Sequence, residues 1–125
     1  MEYDNIINIL IDRFPELKNI YEADYEEDDY EGLPHVIYGN VFIPYIVKTC
    51  KNADVAKLNE ISLFLEEMAQ SEDYGVNNLL GVSVIESLYN DSFIDPEPLK
   101  ILRKHLKEKT LQELVNMEKW YKNHR

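Results

Sequence analysis

Two clusters of carboxylates interleaved with tyrosines are the side chains best suited to recognising another molecule. The first occupies residues 22–31, EADYEEDDYE, and the second is the short run Glu72, Asp73 and Tyr74. Tyrosine supplies contact area at a low entropic cost, and carboxylates steer a basic partner. Residues 22–31 have a simpler alternative, which is a solvated loop. The predicted partner-binding residues are Asp24, Tyr25, Glu26, Glu27, Asp28, Asp29, Tyr30, Glu31, Glu72, Asp73 and Tyr74.

Glu86 is the candidate for acid–base chemistry, because it lies in an apolar stretch on the side of Leu79 and Val82. A carboxylate in such a place needs a partner or a raised pKa. One interpretation is a general acid or base, or a metal ligand. The other is a pairing with a Lys, an Arg, a Tyr or His35 that fixes helix register. We favour the pairing, because a catalytic carboxylate needs companions in a cleft.

Other chemistry-bearing residues do not form a recognisable site. Glu66 and Glu67 are adjacent on a helix and face different ways, so they do not make a paired-carboxylate centre. The three histidines are scattered, and no Glu-x-x-His pair, glycine-rich phosphate loop, HExxH or nucleophile elbow occurs. We therefore expect no enzymatic activity, no metal and no cofactor.

The charge distribution favours a basic protein as partner. The chain of 125 residues has a net charge of −11. Residues 1–96 carry 5 basic and 20 acidic side chains, a balance of −15, whereas residues 97–125 carry 8 basic and 4 acidic, a balance of +4. A surface this negative repels nucleic acid and attracts basic proteins. The simpler alternative is that the acidic balance only keeps a small protein soluble. We do not expect the short basic tail to bind nucleic acid directly.

The single cysteine, Cys50, excludes a disulfide within the chain and suits a reducing cytoplasm. We interpret Cys50 as a small core residue, with a reactive thiol as the alternative. An acidic N-terminus without a following apolar run does not resemble a signal peptide, and no stretch reaches membrane-spanning length. The expected location is cytoplasmic, without a membrane partner.

The elements that must position these residues are organised around residues 76–89, VNNLLGVSVIESLY. Apolar residues point in almost every direction around this helix, which is typical of a central, buried one. The non-apolar positions Gly81, Ser83 and Ser87 are small, and we expect them to let neighbouring helices approach closely.

Four helices and one short extended segment precede this helix. Residues 4–13 form the first helix, and the second begins near Glu16 and frays into the acidic stretch. Residues 35–38, HVIY, are β-branched and apolar, so we predict an extended segment or a short strand. The Gly39–Asn40 pair restarts the chain, and helix three spans residues 41–51 because Pro44 is tolerated only near a helix start. Helix four covers residues 54–70, with Asp54 as N-cap and Leu63 off the apolar stripe.

Two helices follow the central one. The sixth covers residues 97–107, with Asp95 as N-cap and Pro96 as first helical residue. The seventh covers residues 111–122 and starts with a capping box formed by Thr110 and Glu113. Together the segments predict a single all-α domain over residues 1–125. We expect six or seven helices packed around the central one, and HEAT-like antiparallel pairing is possible in such an arrangement.

Three stretches carry a resemblance to a known group of proteins: LPHVIYGNVFIPYIV, LNEISLFLEEMAQSED and VNNLLGVSVIESLYND. Over residues 33–92 the chain resembles the small acidic helical immunity proteins of bacterial polymorphic-toxin and contact-dependent inhibition systems. The resemblance implies a protein that binds and blocks a cognate toxin, often a basic nuclease. These families share no fixed binding residues, so none is transferred to this chain.

The leading functional interpretation is therefore an immunity protein that neutralises a basic, nuclease-type toxin domain through its acidic surface. Two alternatives stay open. One is a helical adaptor or scaffold unconnected to any toxin, and the other is an enzyme that uses Glu86.

Overall fold

The computed structural model describes residues 1–20 and 34–124. Over these ranges the protein is all-α, as predicted, and contains no strand. Short 3₁₀ turns at Tyr3–Asn5 and Pro15–Leu17 flank the first helix, and residues 18–20 are helical. The six longer helices within the described ranges are α1 (Ile6–Arg13), α2 (34–51), α3 (Val55–Ala69), α4 (74–91), α5 (Glu97–Arg103) and α6 (Glu108–Asn123).

Helix α4 is the predicted central helix, and it packs against α2, α3 and α6. Leu79, Leu80 and Val84 are completely buried there. The burial is not uniform, because Val82 is 47% exposed. The prediction that Gly81 lets a neighbouring helix approach closely is wrong, since a methyl group at that position would meet no atom within 4 Å. One face of α4 is therefore left open to solvent.

The prediction of an extended segment at residues 35–38 is wrong, because α2 begins at Pro34 and runs without interruption to Lys51. It consists of an α-helical turn, Pro34–Ile37, a π-helical segment, Tyr38–Phe42, and a regular helix, Ile43–Lys51. Tyr38 is completely buried, and its hydroxyl donates to the Ile6 carbonyl at 2.8 Å. This packing against α1 outweighs the β-propensity of the segment.

The Gly39–Asn40 pair and Pro44 are interior to α2 instead of marking its start. A proline ring clashes with the carbonyl four residues earlier in a regular helix, here that of Asn40. The π-helical segment ends two residues before Pro44 and widens the backbone where that clash would occur. A second π-helical segment, Leu80–Glu86, lies in α4 and contacts the first.

The N-terminus of α6 also differs from the prediction. The helix begins at Glu108, so Thr110 is already inside it, and the expected capping box with Glu113 does not form. Instead the carboxylate of Glu66, on α3, accepts hydrogen bonds from the backbone N–H groups of Lys109 and Thr110 at 3.1 and 2.9 Å. The Thr110 hydroxyl donates to the same carboxylate at 2.9 Å. A side chain from another helix thus replaces the local cap.

Other helix ends follow the sequence signals more closely. Asp54 caps α3 by accepting from the Lys57 N–H at 3.1 Å, as predicted. Helix α5 begins at Glu97, as predicted, but Pro96 instead of Asp95 occupies the N-cap position. Asp95 still accepts from the Glu97 N–H at 3.3 Å. It ends at Arg103, four residues earlier than expected, where the chain turns toward α6. Leu63 is exposed, in agreement with its position off the stripe of α3.

The core is continuous and has an aromatic centre. Phe14, Phe42 and Phe64 bring together the end of α1, α2 and α3, with ring centroids 5.5 to 5.7 Å apart. Cys50 is buried in the same core, and desolvation raises the pKa of its thiol to about 11, which disfavours a reactive thiolate. Within the described ranges, no helix has both the length and the apolar character needed to cross a bilayer.

Candidate protein-interaction surfaces

The predicted cluster Glu72, Asp73 and Tyr74 lies at the N-terminus of α4. Tyr74 is 80% exposed, and Glu72 faces solvent beside it. Asp73 is engaged, because one carboxylate oxygen accepts from the Tyr3 N–H and the other from the Gly75 N–H, both at 2.8 Å. Asp73 therefore caps α4 and attaches the N-terminal turn to it. Glu72 and Tyr74, the other two members of the cluster, make no side-chain hydrogen bond to any residue that the structure describes.

The hydrogen bond from the Tyr3 backbone is the main reason why the pKa of Asp73 is lowered. The Gly75 N–H contributes in the same direction. The carboxylate consequently stays charged to a lower pH than a free aspartate, and it adds negative potential to the surface without offering an unoccupied oxygen.

An open groove of about 570 Å³ extends the acidic end of α4 toward the first residues of the chain. Glu2 and Glu72 are exposed along it. Glu67 also lines the groove and forms an ion pair with Arg13, with N–O distances of 2.6 and 3.0 Å. We call this region the acidic surface. Its members are Glu2, Glu67, Glu72, Asp73 and Tyr74.

The larger predicted cluster lies outside the described residues. It comprises Asp24, Tyr25, Glu26, Glu27, Asp28, Asp29, Tyr30 and Glu31. Partner binding by these residues stays a prediction from sequence.

Glu86 is half-buried on α4 and accepts a hydrogen bond from the Tyr121 hydroxyl of α6 at 2.8 Å. This bond is the first cause of a raised pKa at Tyr121, because an anion beside the phenol disfavours a second negative charge. A tyrosine is among the partners predicted for Glu86 in a pairing that holds two helices in register. Over the residues that the structure describes, no group of three potential metal ligands is present around Glu86 or elsewhere.

Tyr121 belongs to a run of aromatic rings that crosses from α4 to α6. Tyr89 stacks on Tyr121 with centroids 5.3 Å apart, and Phe93 packs edge-on against Tyr89 at 5.1 Å. On the other side, Trp120 packs edge-on against Tyr121 at 5.0 Å and stacks on His124 at 4.3 Å. We call these five residues the aromatic row. Phe93 and Trp120 are 63% and 55% exposed, so the row is a surface feature.

Sequence reasoning missed the aromatic row. Tyr89 and Phe93 are four residues apart, a spacing that brings side chains together on a helix, although α4 ends at Asp91 and Phe93 lies in the turn after it. Trp120 and Tyr121 lie some thirty residues further along the chain, and nothing local connects the two pairs.

Glu16 is at the centre of another polar cluster. It lines a groove of about 410 Å³ between the 3₁₀ turn Pro15–Leu17 and α2. It accepts hydrogen bonds from the Tyr45 hydroxyl and, at 2.7 Å, from Lys57 Nζ. Burial opposes ionisation of Glu16, but these two bonds outweigh it and lower the pKa of the carboxyl. Burial and the Glu16 contact raise the pKa of Tyr45 to about 12. All three groups are thus mutually satisfied, which is typical of a structural cluster.

The family relationship covers nearly the whole of this architecture. A family model described as a domain of unknown function (DUF7674) matches residues 7–123. The chain belongs to this family. Comparison of the chain with curated proteins and with solved structures found no match.

The matched range includes most of the features described above. The aromatic row begins at Tyr89, and all but its last member, His124, lie within residues 7–123 of the DUF7674 match. Glu66, Glu72 and Tyr74 lie within it as well. Glu2 and Tyr3 precede it, so one side of the acidic surface is built from residues outside the matched range.

Proposed function

We propose that this protein is a non-catalytic inhibitor, an immunity protein that binds and neutralises a basic, nuclease-type toxin domain. The observation that supports this proposal is Tyr74, an aromatic side chain held 80% exposed at the edge of the acidic surface. Exposed Glu2 and Glu72 line the adjoining groove. An aromatic anchor surrounded by carboxylates suits a cationic protein face.

The two residue types have different tasks in such an interface. Exposed carboxylates attract a basic partner before contact and so raise the association rate. Salt weakens this attraction, because the Debye length is only about 10 Å at 0.1 M ionic strength. A tyrosine that becomes buried on binding acts after contact and slows dissociation. The proposal therefore assigns steering to Glu72 and anchoring to Tyr74, while Asp73 holds the end of α4 in place.

A second candidate function is a helical adaptor without a toxin. It is supported by the aromatic row, because an adaptor needs two separate contact surfaces. The acidic surface and the aromatic row lie at opposite ends of α4, a helix of 18 residues and hence about 25 Å long.

The test has two steps. The neighbouring genes are searched for a toxin domain, and the binding kinetics of that domain are then measured by surface plasmon resonance at two salt concentrations. We expect Glu72→Gln to lower the association rate and Tyr74→Ala to raise the dissociation rate several-fold. Replacing Glu26, Glu27, Asp28 and Asp29 by their amides tests the predicted segment in the same way. Glu97→Gln is the matched control, since it removes one exposed charge on α5, away from the acidic surface.

Unchanged rates in all of these variants would contradict docking through the acidic clusters. Absence of any binding to the neighbouring toxin domain would remove the immunity function and leave the adaptor as the better candidate.

A further inference from the structure

The aromatic row has the composition of an interaction surface. Trp and Tyr are the residues most enriched among those that dominate binding energy. Trp120 projects from α6 and Phe93 from the turn that follows α4, and both are more than half exposed. Between them, Tyr89 is buried and Tyr121 is held by Glu86, so the exposed rings rest on an ordered base. Such a base lowers the entropic cost of binding.

The carboxylate of Glu86 determines which ligand suits the row. Its Oε1 accepts from Tyr121, and no donor among the described residues reaches Oε2. Helix α4 carries two acidic residues, Glu86 and Asp91, and no basic one, whereas α6 carries three of each sign. On α5, Arg103 is already paired with Glu118 at 2.6 Å. The two helices that bear the row thus have a negative balance beside exposed π-faces.

A guanidinium group fits both features, because it stacks on aromatic faces and donates to a carboxylate in one plane. We propose that the aromatic row and Glu86 form a second docking surface, which receives arginine side chains of a basic protein partner. This inference rests on the proposed function for the basic character of that partner. An ammonium group has the charge but lacks the plane, so the surface should prefer arginine to lysine.

The other ligand that stacks on exposed aromatic rings is single-stranded nucleic acid. Its phosphates would be repelled by Glu86, by Asp91 and by a chain with a net charge of −11. The two carboxylates on α4, Glu86 and Asp91, therefore favour the cationic protein.

Trp120 is the only tryptophan in the chain, so its fluorescence reports on this surface alone. The probe is a hexa-arginine peptide, compared with a hexa-lysine peptide of equal charge. We expect the arginine peptide to change the Trp120 emission saturably and to bind about threefold to fivefold more tightly than the lysine peptide. Glu86→Gln and Phe93→Ala should each lower the affinity for the arginine peptide by a similar factor. Leu63→Ala, an exposed apolar control on α3, should leave that affinity unchanged.

Anisotropy of a labelled arginine peptide separates this surface from the acidic surface. If Glu72→Gln and Tyr74→Ala abolish binding while Trp120 emission stays constant, the inference is overturned and the proposed function is untouched. Equal affinity for the two peptides, no binding of either, or a stronger response of Trp120 to a short oligonucleotide would also overturn it. Loss of toxin binding with retained arginine selectivity at Trp120 would instead overturn the immunity function alone. Circular dichroism of each variant confirms that it is folded.

Discussion

The two ends of α6 are each met by a glutamate from another helix, but the two contacts are built differently. At the N-terminus, Glu66 is 7% exposed and its two oxygens accept four hydrogen bonds, from Lys109, from the backbone and hydroxyl of Thr110, and from Gln70. At the C-terminal end, Glu86 is half-buried and accepts one bond, from Tyr121. Burial with complete satisfaction marks a structural carboxylate, whereas partial burial with spare capacity leaves room for a ligand.

The charge state of the first end follows from the same contacts. Burial would raise the pKa of Glu66, but the hydrogen bonds from Thr110 and Lys109 outweigh it and lower the pKa below its ordinary value of 4.5. Glu113, one turn into α6, accepts no hydrogen bond from the part of the chain that the structure describes, and desolvation raises the pKa of its carboxyl. The pKa values of two neighbouring glutamates thus shift in opposite directions, and the hydrogen-bond donors around Glu66 account for the difference.

The largest expected effect is the loss of the cap at the first end. Glu66→Ala should lower the free energy of unfolding by about 3 kcal/mol, because it leaves two backbone N–H groups and a buried hydroxyl without partners. Urea denaturation measures the change.

Two neighbouring substitutions serve as controls for this prediction. Glu67→Gln breaks the exposed pair with Arg13 and should cost only about 0.5 kcal/mol. Ser62 lies one turn before Glu66 and is buried, but its hydroxyl has no partner among the described residues. Ser62→Ala should therefore be neutral or stabilising by up to about 1 kcal/mol. If all three variants lost equal stability, burial alone and not hydrogen bonding would explain the role of Glu66.

The second prediction is that the Glu66 contribution depends on pH. A carboxyl with a lower pKa in the folded than in the unfolded protein stabilises the fold above its unfolded pKa, here near 4.5. That stabilisation is lost as the pH falls toward the folded value. The difference in unfolding free energy between the wild type and Glu66→Ala should therefore be constant from pH 6 to 7 and shrink below about pH 4.5. A difference that grew on acidification would mean that Glu66 is protonated in the folded protein.

The smallest effect is expected at the second end of α6. Tyr121→Phe removes the hydroxyl that donates to Glu86 while keeping the ring that stacks on Tyr89, so it should destabilise the protein less than Glu66→Ala does. In a double-mutant cycle with Glu86→Ala, the double variant should lose less stability than the sum of the two single losses, because both substitutions break the same bond. Additive losses would show that the Glu86–Tyr121 hydrogen bond contributes nothing to stability.

Much of the fold could be predicted from local signals in the sequence. The apolar stripe of α3 and its N-cap Asp54 lie within a few residues of each other, and so do the buried residues that identify α4 as the central helix. Helical periodicity reports burial directly, because it places every third or fourth side chain on one face. The all-α class, the core position of Cys50 and most helix positions therefore follow from the sequence alone.

The features that define the surfaces depend on contacts between distant residues. The cap of α6 comes from a residue 44 positions away, and the local Thr110–Glu113 pattern gives no sign of it. Helix α2 passes through Gly39 and Pro44 because the burial of Tyr38 against α1 compensates the weak local propensity. The aromatic row forms only when α4 and α6 pack together. A hydrogen-bond donor or a ring supplied from elsewhere in the chain leaves no periodic pattern, so only tertiary packing decides which carboxylate is saturated and which rings stay exposed.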